Sequence, residues 1–360
     1  MSGPGSPAEV RLFLGCLLGG AVGDALGAPV EFMKLEEIRA RFGPGGVTGL
    51  EDGVWPAGSI TDDTQLTLFT AEGLLRAQVR GALKGIVHPP TVVDHAYARW
   101  LHTQGERSPR WHKYNEEGYD GWLVGLSELN ARRAPGRTCL SALSGDRAGT
   151  VERPLNDSKG CGGVMRIAPV GLLAPRDRAF DLGVEVAVLT HGHPSGHLAA
   201  GFLASVIAAI RDGEDLDNAL DTATVELDRY EGREETLAAV TAARRLAHAR
   251  EPSAEQIERL GAGWVAEEAL AIGLYAMLAT RSYPEAVVLA ANHGGDSDST
   301  AAIAGSLAGI TYGEQAIPSE WLEMLELRDQ ISQVAEDLHR ATRGHPEWDP
   351  EREWDRYPGW

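Results

Sequence analysis

Two acidic clusters, separated by most of the chain, carry residue types that bind metal ions. The first is Thr61-Asp62-Asp63 and the second is Asp296-Ser297-Asp298-Ser299. Each lies where we predict a helix to begin, and because Asp and Ser are favoured helix caps, either cluster alone has a purely structural explanation. Together they supply four carboxylates and several hydroxyls, the oxygen ligands that hard cations prefer. If they converge, they predict a site for Mg²⁺, with Mn²⁺ or Ca²⁺ as alternatives.

Three histidines form a second candidate site. His193 and His197 are one helical turn apart and His191 is close by, so the three could hold zinc in a zinc hydrolase. No cysteine and no obvious glutamate base accompany them. A Thr-His turn before a proline-capped helix is more often a structural or ligand-contacting element, so zinc is the weaker alternative.

A glycine-rich segment, residues 156–166 (NDSKGCGGVMR), is the third candidate. Its glycines leave backbone N–H groups accessible to a diphosphate, and Lys159 adds a positive charge. Neither the dinucleotide-binding fingerprint nor the P-loop pattern is present. Taken alone, the segment would indicate only a turn.

The elements that must position these residues are predicted to be helices. Alternating β-branched runs are nearly absent, and Ala and Leu recur at helical spacing, so we predict a single compact all-α domain over residues 10–342. Residues 1–9 are expected to be a flexible N-terminus and 343–360 a charged, aromatic tail that either docks or stays loose. The least regular stretch is 88–155. The predicted helices cover 10–26, 194–212, 216–229, 232–250, 264–280, 284–292, 299–312 and 318–342, and one more begins at Thr61.

Glycine recurs at every fourth position of the first predicted helix, at Gly15, Gly19, Gly23 and Gly27. Each interior glycine costs about 1 kcal/mol relative to alanine. Four on one face therefore predict that another backbone packs very close there, or that this face lines a substrate site.

Charge, cysteine content and hydropathy indicate which classes of partner and which cellular setting we expect. The formal net charge of -19 makes an extended nucleic acid an unfavourable partner. The three cysteines, Cys16, Cys139 and Cys161, show no zinc-knuckle or redox spacing, which favours a reduced, cytoplasmic setting. The first residues lack the pattern of a secretory signal, and the apolar stretch 196–210 is too short to span a bilayer, so we expect no membrane partner.

The motifs, in their order along the chain, resemble those of the ADP-ribosylglycohydrolase family, which includes the bacterial enzymes that reactivate dinitrogenase reductase. The matching stretches are 15–32 (GCLLGGAVGDALGAPVEF), 58–66 (GSITDDTQL), 156–171 (NDSKGCGGVMRIAPVG), 189–194 (LTHGHP) and 292–313 (NHGGDSDSTAAIAGSLAGITYG). The two acidic motifs, separated by the whole domain, make the resemblance far more specific than any single motif.

The resemblance implies an all-α domain with two Mg²⁺ ions in a cleft, with Mn²⁺ possible. The residues that match the family's metal ligands are Thr61, Asp62, Asp63, Asp296, Asp298 and Ser299. Family members generally have threonine at the last position, and serine keeps the hydroxyl. Glu31 matches an acidic residue that some members use in catalysis, and Asp62 or Asp298 could share the proton transfer. The residues expected to contact ADP-ribose are Gly160, Cys161, Gly162, Gly163, Met165 and His191.

The function implied is Mg²⁺-dependent hydrolysis of the glycosidic bond between ADP-ribose and a modified side chain or other acceptor, by a monomer. One departure concerns the acceptor. The dinitrogenase-reductase type has an acidic residue just before a Gly-Asn-Thr-Cys segment, whereas 134–139 (APGRTC) has none, which weakens the case for ADP-ribosyl-arginine. The main alternative is a non-catalytic ADP-ribose-binding or structural relative, as certain lens crystallins are. The retained carboxylates argue against it because they repel one another when held together.

Overall fold

The computed structural model describes residues 7–112, 118–249, 251–342, 345 and 347–359. Throughout these ranges the regular structure is helical and no strand is formed; an isolated bridge joins Gly160 to Val265. The predicted all-α fold is therefore confirmed.

The α-helices of the described ranges are numbered in chain order. They are α1 (Pro7–Gly27), α2 (Leu35–Phe42), α3 (Asp62–Lys84), α4 (Pro89–Thr103), α5 (Pro109–His112), α6 (Arg137–Leu143), α7 (Ala168–Leu173), α8 (Arg176–Ala187), α9 (Pro194–Arg211), α10 (Leu216–Leu227), α11 (Glu234–Ala249), α12 (Ala254–Ile257), α13 (Ala266–Ala279), α14 (Tyr283–Ala291), α15 (Ser297–Tyr312), α16 (Ser319–Met324), α17 (Arg328–Arg340) and α18 (Pro350–Glu353). Short 3-10 helices at Leu123–Gly125, Ser127–Asn130, Cys161–Gly163 and Glu314–Ala316 join some of them.

Helices α1 and α15 pack backbone to backbone at the centre of the fold. A methyl group added at Gly23 would lie 2.1 Å from the carbonyl oxygen of Ala301, and one added at Gly27 would lie 2.3 Å from that of Ser297. Both separations are far below van der Waals contact, so only glycine fits. This confirms the predicted close backbone approach and assigns these glycines to helix packing. Because Gly15 faces Gly309 and Gly27 faces Ser297, the two helices are antiparallel. The end of α1 therefore lies beside the start of α15.

The single helix predicted over 318–342 is wrong, because the chain breaks between α16 and α17. Leu327 has a left-handed backbone (φ +56°), and the Glu326 N–H donates to the Gly58 carbonyl at 3.0 Å. The Glu326 carboxylate also pairs with Arg133. These long-range contacts override the local helical pattern. Helices α2 and α8 were not predicted, and α4, α5 and α6 occupy the stretch considered least regular.

Both ends of the described chain are attached to the fold. Helix α1 begins at Pro7, within the stretch 1–9 expected to be flexible; residues 1–6 lie outside the described residues. In the tail, residues 343, 344, 346 and 360 also lie outside them. The buried Tyr357 hydroxyl donates to Asp337 at 2.6 Å, and Arg76 donates to the Pro358 carbonyl at 3.2 Å. The segment 347–359 is therefore docked against α3 and α17.

One stretch of α1, Glu9–Gly27, is long and apolar enough to cross a membrane by length and composition. The sequence analysis considered only the shorter stretch 196–210. However, 78% of the most apolar window in Glu9–Gly27 is buried within the fold, against α15 and its neighbours, as expected for a core helix. The cytoplasmic location and the monomeric state stay predictions.

Candidate active site

The two acidic clusters converge at one end of the α1–α15 pair. Thr61 is the N-cap of α3, and its hydroxyl accepts from the Asp63 N–H at 3.3 Å. The same hydroxyl lies 3.4 Å from Asp298 Oδ2, and this contact joins the start of α3 to the first turn of α15. Residues 237 positions apart are thus in contact, as the metal-site hypothesis requires.

Asp24, near the end of α1, holds the start of α3 in place. Its carboxylate is fully buried and accepts from Thr61 through both the backbone N–H (2.9 Å) and the hydroxyl (2.7 Å). It also accepts from the Thr64 N–H at 3.1 Å and the Thr64 hydroxyl at 2.5 Å. Sequence reasoning did not include Asp24 in the site. The available signal was a lone acid on an otherwise apolar helix face, since an unpaired buried acid is costly.

Three carboxylates form the most compact part of the cluster. Glu31, Asp296 and Asp298 each offer an oxygen, and these oxygens lie within 4.8 Å of one another. Asp296 and Asp298 are buried, whereas Glu31 is only partly buried and remains accessible. Asp62 is also buried, and its Oδ2 accepts from the Gly136 N–H at 3.2 Å.

Burial and mutual repulsion oppose ionisation of these acids. Burial first, and then the charge of Asp298, raise the pKa of Asp62, Asp63 and Asp296 well above the usual range for aspartate. The same two causes raise the pKa of Asp24 to about 7 and that of Glu31 to about 10. The negative charges of Asp296, Asp62 and Asp24 also help to raise the pKa of Glu31. A bound cation would relieve this repulsion because it supplies the missing positive charge.

The donor set fits a hard divalent cation. The candidate ligands offer carboxylate and hydroxyl oxygens, and Asp63 Oδ2 is buried without a hydrogen-bond partner. An orphaned buried carboxylate oxygen in a native fold calls for a ligand. The Ser299 hydroxyl donates weakly to Met165 Sδ at 3.6 Å and to Cys161 Sγ at 3.7 Å, and it also interacts with the Asp296 carboxylate. Because the hydroxyl is the donor in these contacts, the lone pairs of its oxygen can bind a cation.

The glycine loop lies directly against the acidic cluster. Cys161 donates its S–H to Asp296 Oδ2 at 2.8 Å, and Met165 is buried against Ser299. A methyl group added at Gly162 would lie 3.0 Å from both Cys139 Sγ and His191 Cε1, so a larger residue there would crowd both side chains. Gly160 pairs with Val265, and Gly163 packs against the backbone of Gly196. The predicted loop residues therefore form one wall of the same site.

His191 lies beneath this loop as a buried, neutral side chain. Its Nδ1 is 2.9 Å from the Thr190 hydroxyl, and burial, followed by the charge of Arg166, lowers its pKa to about 3. Asn156 ties the turn to the loop, since it donates to the Thr190 carbonyl at 2.9 Å and accepts from the Gly192 N–H at 3.1 Å. His191 thus supports the loop from below.

The structure does not support a zinc site at the three histidines. His193 caps α9 by accepting from the Ser195 N–H at 3.1 Å, and His197 Nδ1 is 3.3 Å from the His191 carbonyl. Within the described ranges, the group of three or more His, Cys, Asp or Glu side chains whose ligand atoms all lie within 4.8 Å of one another is Glu31, Asp296 and Asp298, and it contains none of the three histidines.

Lys159 does not supply a free charge to the loop, contrary to the sequence-based expectation. Its ammonium pairs with Glu267 at 2.6 Å and with Glu235 at 3.0 Å. Two carboxylates already compensate one positive charge, so Lys159 offers a diphosphate little attraction.

An exposed aromatic pair flanks the cluster. Phe32, next to Glu31, stacks on Trp264 with the ring centroids 5.1 Å apart. Phe32 has a left-handed backbone (φ +67°), and both side chains are exposed. The Trp264 carbonyl accepts from the Cys161 N–H, so the pair borders the glycine loop as well. Sequence reasoning missed this pair because neither aromatic residue lies in a motif that predicts exposure.

Comparisons with known proteins identify the family of this chain. The family model described as ADP-ribosylglycohydrolase matches residues 6–347. The ADP-ribosyl-[dinitrogen reductase] glycohydrolase of Rhodospirillum rubrum is 29% identical, over 88% of this chain and 90% of the relative. The ADP-ribosylarginine hydrolase Tri1 of Serratia proteamaculans is 25% identical, over 90% of this chain and 78% of the relative.

A solved structure shares the fold over almost its whole length. It is described as an ADP-ribosylglycohydrolase-related protein complex, and it superposes with a TM-score of 0.63 at 27% identity, covering 93% of this chain and 99% of that one. The chain belongs to the ADP-ribosylglycohydrolase family and is a hydrolase of ADP-ribose linkages.

Proposed function

We propose that this hydrolase depends on Mg²⁺ and uses a dinuclear site formed by Thr61, Asp62, Asp63, Asp296, Asp298 and Ser299. The observation that carries the proposal is the meeting of carboxylates from the end of α1, the start of α3 and the start of α15, with Glu31, Asp296 and Asp298 oxygens within 4.8 Å of one another. Mg²⁺ prefers such oxygen ligands; Mn²⁺ can replace it in the same donor set.

The residues suit cleavage of a ribosyl bond. The reaction passes through an oxocarbenium-like state and needs an acid for the leaving group and a base for water. A bound divalent cation supplies Lewis-acid polarisation of substrate oxygens. Glu31 is our candidate for the proton carrier of the cluster because it is the accessible carboxylate. Asp298 and Asp62 are the alternatives for this role.

The surroundings offer separate places for the parts of ADP-ribose. The loop from Gly160 to Gly163 presents backbone to a diphosphate, and the exposed rings of Phe32 and Trp264 offer a flat surface on which a base can stack. The partner is therefore an ADP-ribosylated molecule.

An exposed arginine follows directly after a residue that contacts the acidic cluster. Gly136 donates to the carboxylate of Asp62, and the next residue, Arg137, is exposed. Adjacent Cα atoms are about 3.8 Å apart, so Arg137 lies within side-chain reach of the cluster. The charge of Arg137 and the charges of the carboxylates act on an acceptor in opposite directions, so the substrate panel below must compare cationic, neutral and anionic acceptors.

The test is release of ADP-ribose from a panel of substrates, with ADP-ribose linked to arginine, serine, glutamate or a terminal phosphate, with and without a chelator. We expect release that the chelator abolishes and Mg²⁺ restores. Glu31→Gln should lower kcat by about 100-fold or more, whereas the control Glu323→Gln, an exposed carboxylate outside the site, should not. Wild-type rates in both Glu31→Gln and Asp298→Asn, or release unaffected by chelator, would reject the proposal.

A further inference from the structure

Arg166 is a fully buried cation directly behind the glycine loop. Its guanidinium carbon lies 4.2 Å from the centre of the Tyr97 ring. One terminal nitrogen donates to the Thr190 hydroxyl at 2.6 Å and the other to Cys139 Sγ at 3.4 Å. Its Nε is buried without a hydrogen-bond partner. Every group that it contacts through these bonds is uncharged.

Other buried arginines of the described chain have carboxylate partners. Arg76 pairs with Glu72 at 3.1 Å, Arg99 pairs with Glu72 at 2.9 Å, and Arg133 pairs with Glu326. Arg166 takes part in none of the ion pairs formed by the described residues. Burying a charge without a counter-charge is strongly unfavourable. A purely structural arginine would be expected to follow the pattern of the paired ones.

The contacts of Arg166 reach both flanks of the loop. Cys139 and His191 are the two side chains that a methyl group at Gly162 would meet, each at 3.0 Å. Arg166 binds Cys139 directly and holds Thr190, the neighbour of His191. With Lys159 already paired to two glutamates, Arg166 is the cation behind this wall that lacks a carboxylate partner. An anion seated on the loop would supply the missing counter-charge.

We propose that Arg166 is a positioning residue for the substrate diphosphate: it holds Cys139 and the Thr190–His191 turn against Gly162, and its charge, which no carboxylate pairs with directly, favours an anion on the loop. The inference rests on the proposed function, since it assumes that ADP-ribose binds at this wall. It differs from the sequence-based expectation, which gave the positive charge of the loop to Lys159.

The test compares three ligands of the Mg²⁺-loaded full chain by calorimetry: ADP-ribose, ADP and adenosine. In Arg166→Met, Kd should rise about tenfold or more for the two diphosphates and stay unchanged for adenosine. Arg166→Lys, which keeps the charge, should recover part of the affinity. In turnover assays, KM should rise in Arg166→Met while kcat changes less. The matched control is Arg99→Met, which should lower the unfolding temperature and leave all three Kd values unchanged.

Each other outcome is decisive. Equal losses for adenosine and ADP would overturn the inference, because they would indicate a collapsed site and not a lost charge. A change in Mg²⁺ affinity alone would assign Arg166 to the acidic cluster and also overturn it. If Arg166→Met does not fold, Arg166→Lys carries the test: weaker binding of ADP-ribose and ADP with an unchanged Kd for adenosine would support the positioning role, and losses shared with adenosine, or no loss at all, would reject it. Wild-type protein that binds no ADP-ribose would reject the proposed function itself, whereas normal wild-type binding with unaffected variants would reject only the role of Arg166.

Discussion

Asp24 and Thr61, in different helices and 37 residues apart, are joined by a hydrogen bond of 2.7 Å from the Thr61 hydroxyl to Asp24 Oδ1. The bond places the first turn of α3, with Asp62 and Asp63, beside the end of α1. Since α1 is locked to α15 by glycine contacts, the same bond relates the two acidic clusters to each other. Asp24 is therefore a positioning residue of the candidate metal site.

Replacing Asp24 with asparagine should disconnect the two clusters. The Asp24 carboxylate now accepts hydrogen bonds from the backbone N–H and the hydroxyl of both Thr61 and Thr64. In the variant, the amide NH₂ would face some of these donors and could not accept from them. We expect Mg²⁺ affinity and kcat to fall about tenfold or more. Calorimetric Mg²⁺ titration is the measurement. Asp94→Asn is the control, because Asp94 pairs with Arg110 and not with α3, and it should affect stability alone. An unchanged Mg²⁺ affinity in Asp24→Asn would remove the positioning role.

The packing of α1 on α15 leaves no room for a side chain at Gly23. In Gly23→Ala, the new methyl group would start 2.1 Å from the Ala301 carbonyl oxygen, so the helices must separate. We expect the free energy of unfolding to fall by about 2 to 3 kcal/mol, as measured by urea denaturation. Gly125→Ala is the matched control, since a methyl group there meets nothing within 4 Å. Equal stability of the two variants would contradict the packing argument.

The features of the fold and of the site that the sequence predicts are those that depend on residues close together in the chain. The acidic clusters and the glycine spacing of α1 are local patterns. The close helix packing that the glycines predict is confirmed and the two clusters meet in the fold, while metal binding by these residues stays a prediction. The break before α17 was missed because it depends on Glu326 reaching Gly58, and the pairing of Lys159 was missed because Glu235 and Glu267 lie far along the chain. Periodicity carries no information about such distant partners. Arg166 was missed for the same reason: its lack of a counter-charge is a property of the fold.

Removal of the Lys159 charge should have little effect on ADP-ribose binding. Its ammonium is shared by Glu235 and Glu267, so Lys159→Met should change the Kd for ADP-ribose by less than about threefold. The comparison is with Arg166→Met in the same calorimetric assay. A larger loss in Lys159→Met than in Arg166→Met would restore the original assignment of the loop charge to Lys159.

The acidic cluster should make the stability of the metal-free protein fall as pH rises above neutrality. The pKa of Glu31 is raised to about 10 and that of Asp63 well above its usual range, whereas both are near 4 when unfolded. The folded state then binds more protons than the unfolded state, so stability is lost as pH rises toward the folded values. Buried histidines such as His191, whose pKa is lowered to about 3, are neutral in both states above about pH 7 and add no slope.

Mg²⁺ should oppose this loss, because it binds the ionised carboxylates and supplies their counter-charge. We expect the rise in unfolding temperature on adding Mg²⁺ to be larger at about pH 9 than at about pH 7. Thermal unfolding with and without Mg²⁺ at both values measures it. Asp63→Asn removes a carboxylate that has a partnerless oxygen, so this variant should be more stable than wild type without metal at the higher pH and respond less to Mg²⁺. A metal-free protein that gains stability between these pH values, or an Mg²⁺ response that Asp63→Asn leaves intact, would mean that these acids are not held together as metal ligands.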